Sequence, residues 1–287
     1  MESKDWEGTM ITFDFGYYKP DTIVEAIKVY KELTGHGKKV IYYAGGTEII
    51  TMARVNQIRF DAVIDIKGIP ECNVLEFQGD KLIIGAAISL TKISDSGLFP
   101  LLGAVCRRAA DHTARDKITL GGNICGKTSY KEAILPLLVS ESEVMISGES
   151  NMKKSTLAKI FRNELMLKSG EFLVQAAIDK SYTAMPYDNI KKTRQEKMGY
   201  PLITVAAVMA DKQIKIAFSG VCSFPFRTRE IEDELNNRTI SLEERINNTM
   251  KHLPAPLLGD MLGSAGYRDF VMRNVLSETC EKLGGLK

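Results

Sequence analysis

Two short segments of the 287-residue chain place a pair of adjacent glycines between apolar residues and a polar side chain. They are residues 42–49, with the sequence YYAGGTEI, and residues 118–126, with the sequence ITLGGNICG. Glycine lets the main chain approach a ligand without a Cβ in the way, and successive amides in a tight turn bind anions, above all phosphate. The two segments therefore predict a cradle for a diphosphate, with Thr47 and Asn123 adding side-chain hydrogen bonds at its rim.

A pair of glycines is also typical of an ordinary turn, and this alternative stays open for each segment taken by itself. Neither segment has the G-x-G-x-x-G pattern of a Rossmann domain, and the Gly-Lys-[Ser/Thr] of a P-loop does not follow either one. The usual nucleotide-binding folds are therefore disfavoured. The residues alone indicate either two turns or a diphosphate cradle built by two separate loops.

The composition argues against nucleic acid and membranes as partners. The formal net charge is only +2, and hydrophobic and charged residues make up 44% and 26% of the chain, as is ordinary for a globular protein. No apolar run approaches the roughly 18 residues that cross a bilayer. The first segment, MESKDWEGTM, carries acidic residues and lacks the apolar core of a secretory signal, so a cytoplasmic location is expected.

The cysteines and histidines do not predict a metal site. None of the five cysteines pairs as C-x-x-C, their odd number argues against a disulfide framework, and the three histidines lie far apart. No nucleophile or general base has a supporting constellation of side chains. We therefore expect neither a metal nor a catalytic side chain on this chain.

The order of the predicted elements is that of an α/β opening. The spacing of apolar residues predicts a helix from Pro20 to Gly35, and residues 38–44 and 60–66 read as buried strands before and after the first glycine segment. Residues 101–117, LLGAVCRRAADHTARDK, predict one helix that leads into the second glycine segment.

The pattern of apolar and polar residues changes near Lys180. Residues 200–221 alternate apolar and polar side chains around an Ala-Asp-Lys-Gln turn, which predicts an antiparallel hairpin. From Thr228 onward the chain is polar and helical. We therefore expect an α+β protein with two domains, residues 1–180 and residues 181–287, the second an antiparallel sheet followed by helices.

Both glycine segments resemble loops of a known protein family. YYAGGTEII resembles the first flavin-binding loop, A-G-G-T-[DE]-[LI], of the FAD subunit of molybdenum hydroxylases such as xanthine dehydrogenase, and ITLGGNICG resembles its second loop, A-T-[IL]-G-G-N. Two later segments, KKTRQEKMGYPLITVAAV and SGVCSFPFRTREIEDEL, are similar to the basic stretch and the Pro-x-Arg segment of that family. The resemblance covers nearly the whole chain.

The resemblance implies FAD as the cofactor. Residues 1–180 would form a PCMH-type FAD-binding domain of two α/β subdomains, and residues 181–287 a smaller domain like that of CO-dehydrogenase flavoproteins, which covers the flavin side. The cofactor-binding residues that it implies are Tyr42, Tyr43, Ala44, Gly45, Gly46, Thr47, Glu48, Ile49, Thr119, Leu120, Gly121, Gly122, Asn123, Glu132, Lys197 and Tyr200.

The chain departs from the family pattern after the second loop. The family usually continues with Ser-Pro-x-x-Asp, whose aspartate meets the cofactor, whereas this chain has GKTSYKEAILP. Glu132 lies at about the place of that aspartate, near Tyr130, and is either a cofactor ligand or a solvated glutamate at a helix start. Lys197 belongs to a basic run that either neutralises the cofactor or is solvated, and Tyr200 either covers the flavin or simply begins a strand.

The resemblance implies an electron-transfer subunit of a larger enzyme. A molybdopterin-binding large subunit would hydroxylate a purine or another N-heterocycle, and a small [2Fe–2S] subunit would pass electrons to this FAD and on to an acceptor such as NAD⁺. Two alternatives stay open: a free-standing FAD reductase of the same fold, similar to UDP-N-acetylenolpyruvoylglucosamine reductase, and a non-catalytic assembly subunit that has lost FAD. A bulky residue at Gly45 or Gly122 is expected to abolish flavin retention and to leave the chain folded.

Overall fold

A computed structural model describes residues 10–128, 130–149, 152–193 and 199–284 of the chain. Within these ranges the strands form three sheets, one parallel and two antiparallel. Helices lie between the strands in the first part of the chain and follow them in the last part. The mixed α+β class predicted from the sequence is confirmed.

The first sheet is parallel, has the strand order β1-β3-β2, and carries the first glycine segment at the carboxyl end of β2. The predicted helix between β1 and β2 is confirmed. It begins because the Thr22 side chain accepts a hydrogen bond from the amide of Glu25, 3.1 Å away, and it ends at Gly35. The elements are β1 Gly16–Tyr18, α1 Ile23–Gly35, β2 Val40–Tyr43, α2 Thr47–Arg54 and β3 Ala62–Asp65.

The second sheet is antiparallel, with the strand order β4-β5-β8-β6-β7. Its elements are β4 Leu75–Gln78, β5 Lys81–Gly85, α3 Leu90–Ser96, α4 Pro100–Arg107, α5 His112–Arg115, α6 Leu120–Cys125, α7 Ile134–Val139, β6 Glu143–Ser147, β7 Lys153–Thr156, α8 Leu157–Ile160 and β8 Phe172–Asp179. The single helix predicted over residues 101–117 is wrong. The chain breaks it at Ala110, whose φ is 49°, and α5 starts afresh because the Asp111 carboxylate caps the amide of Ala114.

The third sheet is antiparallel, has the strand order β11-β10-β9, and contains the predicted hairpin. Asp211 and Lys212 form its turn with φ values of 50° and 63°, the sign that a two-residue hairpin turn requires to match the twist of its strands. The elements are β9 Tyr187–Thr193, β10 Pro201–Ala210, β11 Gln213–Ser219, α9 Arg229–Asn236, α10 Leu242–Thr249 and α11 Ala265–Gly284.

Helix α7 joins the two halves of the molecule. All six of its residues are buried, and it packs against β10 and β11 of the third sheet. Burial of each apolar side chain of this size stabilises the fold by about 1.5–3 kcal/mol. The second sheet ends at Asp179 and the third begins at Tyr187, so the boundary predicted at residue 180 falls in the connection between them and stays a prediction.

The described ranges contain neither a membrane-spanning helix nor a cluster of metal-ligating side chains. No described helix is long and apolar enough to cross a membrane. In the same part of the chain, no group of three or more histidine, cysteine, aspartate and glutamate side chains is placed to hold a metal ion.

Candidate functional site

The first glycine segment is the sharp connection between β2 and α2. Gly46 has a φ of 73°, in the left-handed region that favours glycine, and it stands at the N-cap position of α2. A Cβ on Gly46 would also overlap the ring of Tyr43. Both the dihedral angle and the close approach therefore require a glycine here.

The start of α2 leaves a run of main-chain amides free. The first hydrogen bond of the helix runs from the amide of Ile50 to the carbonyl of Gly46, at 2.8 Å. The five preceding amides, from Gly45 to Ile49, donate no hydrogen bond to any residue in the described ranges. They lie at the positive end of the helix dipole, where an anion is stabilised. The first segment therefore has the donors that a diphosphate needs.

The second glycine segment differs, because its amides are already used. It forms the start of α6, and Thr119 caps this helix by accepting a hydrogen bond from the amide of Gly122 at 3.1 Å. The amides of Leu120 and Gly121 donate to main-chain carbonyls near the end of β5, at 2.9 Å and 2.8 Å. The expectation that both loops offer free amides is therefore wrong for these three donors of the second loop.

Gly122 leaves an open approach over the second loop. It is exposed, and among the residues that the structure describes a Cβ placed on it would come within 4 Å only of Thr119 Oγ1, at 3.0 Å. Gly121 is different, since its Cβ would lie 2.7 Å from the Cβ of Ala86 and so belongs to the packing of the fold. Gly122 is thus the glycine of this segment that a ligand can approach.

The structure brings the two glycine segments into contact. A Cβ on Gly45 would overlap the carbonyl of Lys117, directly before the second segment, and would lie 3.3 Å from the amide nitrogen of Thr119 within it. On the other side of α6, the Glu48 carboxylate accepts a hydrogen bond from the amide of Lys127 at 2.7 Å. A Cβ on Gly126 would lie 2.5 Å from the same carboxylate. The free amides and Gly122 are therefore parts of one surface region.

A charged cluster that the sequence analysis missed lies beside the first loop. The Lys67 ammonium donates to the carbonyl of Ala44 at 2.7 Å and pairs with the buried carboxylate of Asp65 at 2.8 Å. It also lies 4.5 Å from the centre of the Tyr43 ring. The hydroxyl of Tyr17 donates to Asp65, and this hydrogen bond raises the pKa of Tyr17 to about 12. These residues stand at the carboxyl ends of three parallel strands, the edge where ligands bind in open α/β sheets, and that rule could have identified them.

Glu132 lies between the halves of the molecule. It is 4% exposed, so the alternative of a solvated glutamate is wrong. One carboxylate oxygen accepts from Lys191 at 3.0 Å and the other from the hydroxyl of Thr204 at 2.8 Å. Burial raises the pKa of Glu132, although Lys191 and Thr204 act in the opposite direction. Both oxygens are therefore occupied by protein donors, and its role at the cofactor stays a prediction.

Asn123 and Tyr200 occupy the same side of the molecule. The side-chain oxygen of Asn123 accepts a hydrogen bond from the amide of Ala133 at 3.1 Å, so it fixes the chain that follows α6. Tyr200 is 66% exposed and stacks on Tyr130, with ring centres 4.7 Å apart. The pair joins the segment after the second loop to the start of β10, and a flat ring is therefore presented to solvent at this seam.

Other predicted residues lie elsewhere. The Tyr42 ring stacks between Tyr30 and Phe172 in the core, and Ile49 packs in a small cluster under α2. Leu120 is fully buried, and the side chain of Thr47 is exposed. The side chains of Tyr42, Ile49 and Leu120 therefore serve packing, and the Leu120 amide is already bonded to the carbonyl of Ile88. Lys197 lies outside the described residues.

Comparison with known proteins identifies the family. The family model described as the FAD binding domain in molybdopterin dehydrogenase matches residues 13–178, more than half of the chain. This chain belongs to that family. The resemblance read from the glycine segments is therefore confirmed, and FAD is the cofactor. The chain is an oxidoreductase subunit, the FAD-binding subunit of a dehydrogenase of the molybdenum hydroxylase family.

Relatives of this family match along almost the full length of the chain. The glyceraldehyde dehydrogenase medium chain of Sulfolobus acidocaldarius is 22% identical over 275 residues, covering 91% of this chain and 95% of the relative. The xanthine dehydrogenase FAD-binding subunit of Escherichia coli O157:H7 is 21% identical over 301 residues, covering 95% and 99%. The similarity thus extends beyond residue 178 into the third sheet and the final helices.

Solved structures show the same fold. A chain of carbon monoxide dehydrogenase from Hydrogenophaga pseudoflava superposes with a TM-score of 0.84 at 20% identity, covering 96% of this chain and 98% of that one. A chain of quinoline 2-oxidoreductase from Pseudomonas putida 86 gives a TM-score of 0.82 at 18% identity, covering 95% and 98%.

The residues present fit FAD. The free amides of the first loop match the diphosphate of this cofactor, and in the described part of the chain no side chain other than Thr119 lies within 4 Å of a Cβ placed on Gly122. The Lys67 ammonium stands next to the first loop and supplies a cationic hydrogen-bond donor for phosphate oxygens.

Proposed function

We propose that this chain is the FAD-containing electron-transfer subunit of a molybdenum-dependent dehydrogenase with several subunits. The observation that carries this proposal is the contact between the two glycine segments, which joins five free main-chain amides to an open glycine surface. Within such a subunit the cofactor supplies the redox chemistry, and the protein supplies binding, orientation and electrostatics.

The residues of the two loops would divide the work of holding the cofactor. The amides from Gly45 to Ile49 would donate to the diphosphate oxygens, with the positive end of α2 behind them. Gly122 would allow the cofactor to pass close to the second loop. Glu48 would hold the first loop to the chain just after the second through its hydrogen bond from the Lys127 amide, and Thr119 would cap the helix that the second loop begins. Tyr200 would cover one face of the flavin.

The partners in this proposal are a molybdopterin-binding large subunit and a small [2Fe–2S] subunit. The support is the naming of the relatives, one as a medium chain and one as an FAD-binding subunit, together with their coverage of almost the whole chain. We propose that electrons arrive from the iron–sulfur subunit and leave to an acceptor such as NAD⁺. We propose an N-heterocycle as the substrate on the large subunit, on the name of the xanthine dehydrogenase relative, although another relative is named for glyceraldehyde.

Native purification of the tagged full-length chain tests the proposal. The expected result is a yellow complex that contains FAD, molybdenum and iron in fixed ratio with two further polypeptides, and that reduces NAD⁺ when substrate is added. A flavin-containing chain purified without partners would favour the free-standing reductase, and partners without flavin would favour the assembly subunit. Either of these results contradicts the proposed function.

A further inference from the structure

We propose that Lys67 is a binding residue for the diphosphate of the cofactor and that it also holds the first glycine loop in its binding conformation. This inference rests on the proposed function, because it assumes that the diphosphate lies at the free amides of this loop. It adds a side chain that neither glycine motif contains, since Lys67 lies 18 residues after the end of the first motif and 51 residues before the second.

The hydrogen bonds of Lys67 leave one donor available. A lysine ammonium has three N–H donors. One points to the carbonyl of Ala44 at 2.7 Å and a second to Asp65 at 2.8 Å. The third donor has no hydrogen-bond acceptor among the described residues; the ammonium lies 4.5 Å from the centre of the Tyr43 ring, and the side chain as a whole is 42% exposed. The ammonium is therefore held in place with one N–H available to a ligand.

The position of Lys67 sets which ligand atoms it meets. Ala44, whose carbonyl it binds, directly precedes Gly45, the first residue of the run of free amides. The lysine follows β3, the central strand of the parallel sheet, so it stands at the carboxyl edge from which the first loop also emerges. An anion bound by the free amides therefore has an ammonium donor beside it, and such charge-assisted hydrogen bonds are about twice as strong as neutral ones.

Asp65 holds the Lys67 side chain in the position from which it would bind the diphosphate. Its carboxylate is fully buried and accepts three hydrogen bonds, from the Tyr17 hydroxyl and from the main-chain amide and ammonium of Lys67. The ion pair is neutral as a whole, so its long-range attraction for anions is weak. What it offers is a donor of fixed direction, which costs little conformational entropy when the ligand binds.

Titration of the full-length apoprotein with FAD, followed by flavin fluorescence, tests the inference. Lys67→Met is expected to raise the Kd for FAD about 10- to 100-fold, since a hydrogen bond to a charged group is lost. Competition by ADP, which carries a diphosphate, is expected to weaken in parallel, whereas weak competition by adenosine is unchanged. Lys38→Met is the matched control, because Lys38 is exposed at the amino end of β2, on the opposite edge of the same sheet, and its variant is expected to bind FAD as the wild type does.

Two further variants separate a binding role from a purely structural one. Lys67→Arg retains a charged donor and is expected to recover most of the affinity. The double variant Asp65→Asn/Lys67→Met removes the buried unpaired charge, so it is expected to recover thermal stability but not FAD affinity. Recovery of both, or wild-type affinity in Lys67→Met, overturns this inference alone. A wild-type chain that does not bind FAD overturns the proposed function and this inference with it.

Discussion

Gly45 of the first loop lies against the main chain of Lys117 so closely that a Cβ would overlap the Lys117 carbonyl. The two glycine segments are thus packed on each other, and Gly45 serves this contact. That a bulky residue at Gly45 leaves the chain folded stays a prediction, and this contact adds the expectation that the folded chain is destabilised. A methyl group on Gly122 would make one close contact, 3.0 Å from Thr119 Oγ1. At Gly122 we therefore still expect a substitution to leave the chain folded.

Alanine at these two glycines should separate folding from ligand binding. Gly45→Ala is expected to lower the free energy of unfolding of the apoprotein by about 3 kcal/mol, because the main chains must move apart. Gly122→Ala is expected to leave it within about 1 kcal/mol, or to raise it, because alanine favours helix α6. Urea denaturation of both apoproteins measures these values. Equal losses for the two variants would contradict the distinct roles assigned to them.

The buried pair of Glu132 and Lys191 should stabilise the contact between the halves of the molecule cooperatively. Both side chains are 6% exposed, so Lys191→Met alone or Glu132→Gln alone is expected to cost about 3–5 kcal/mol of unfolding free energy. The double variant should cost much less than the sum of the two. A double-mutant cycle by urea denaturation measures this coupling.

A neighbouring lysine provides the control for that cycle. Lys192 pairs with Glu278 at 3.0 Å, but both side chains are exposed, so Lys192→Met is expected to cost less than about 1 kcal/mol. If Lys191→Met is equally mild, or if the cycle is additive, Glu132 and Lys191 do not form the buried link that the structure shows.

Acid should weaken the same contact through Glu141. Burial acts to raise the pKa of this carboxyl, but hydrogen bonds from Lys215 and Arg227 outweigh it, and the pKa is lowered. A lowered pKa means that the stabilising contribution is present above the pKa of an unfolded glutamate, about 4.3, and is lost as the pH falls through the lower folded value. The melting temperatures of the wild type and Glu141→Gln should differ at pH 7 and converge in acid. A constant difference from pH 7 to pH 3 would argue against this linkage.

Tyr200 should affect the bound flavin more than the fold. The side chain is 66% exposed and its loss removes one aromatic pair, so Tyr200→Ala is expected to cost only about 0.5–1.5 kcal/mol of unfolding free energy. If the ring covers the flavin, the fluorescence of bound FAD should rise, because a stacked tyrosine quenches it. Tyr267→Ala, at another exposed tyrosine on α11, is the control. Unchanged fluorescence in Tyr200→Ala would place this ring away from the flavin.

The parts of the fold that are encoded locally could be predicted from the sequence. Helix α1, strand β2 and the β10–β11 hairpin have clear apolar periodicity and turn residues, and the structure confirms them. Strand β9, YDNIKKT, was not predicted, because most of its residues are polar. Its extended conformation is stabilised by hydrogen bonding to β10, which the local sequence does not show. The break at Ala110 was also missed, since the cap that restarts the helix is a single side chain.

The two glycine motifs of the candidate site could be predicted from the sequence. Which of the two loops keeps its main-chain amides free could not. Spacing does not show that the amides of Leu120 and Gly121 are satisfied by carbonyls near β5, more than 30 residues earlier in the chain. Nor does it show that the Glu132 carboxylate would meet donors from β9 and β10. These outcomes depend on which distant segments the fold brings together, whereas the glycine pairs reflect local backbone geometry.

The central claim is that the free amides of one glycine loop hold the diphosphate of FAD while the other loop supports them. A high-resolution structure of the FAD complex tests it most directly. We predict phosphate oxygens within hydrogen-bonding distance of the amides between Gly45 and Ile49, with the cofactor passing over Gly122. A diphosphate bound elsewhere on the chain, with these five amides making no hydrogen bond to it, would contradict the account.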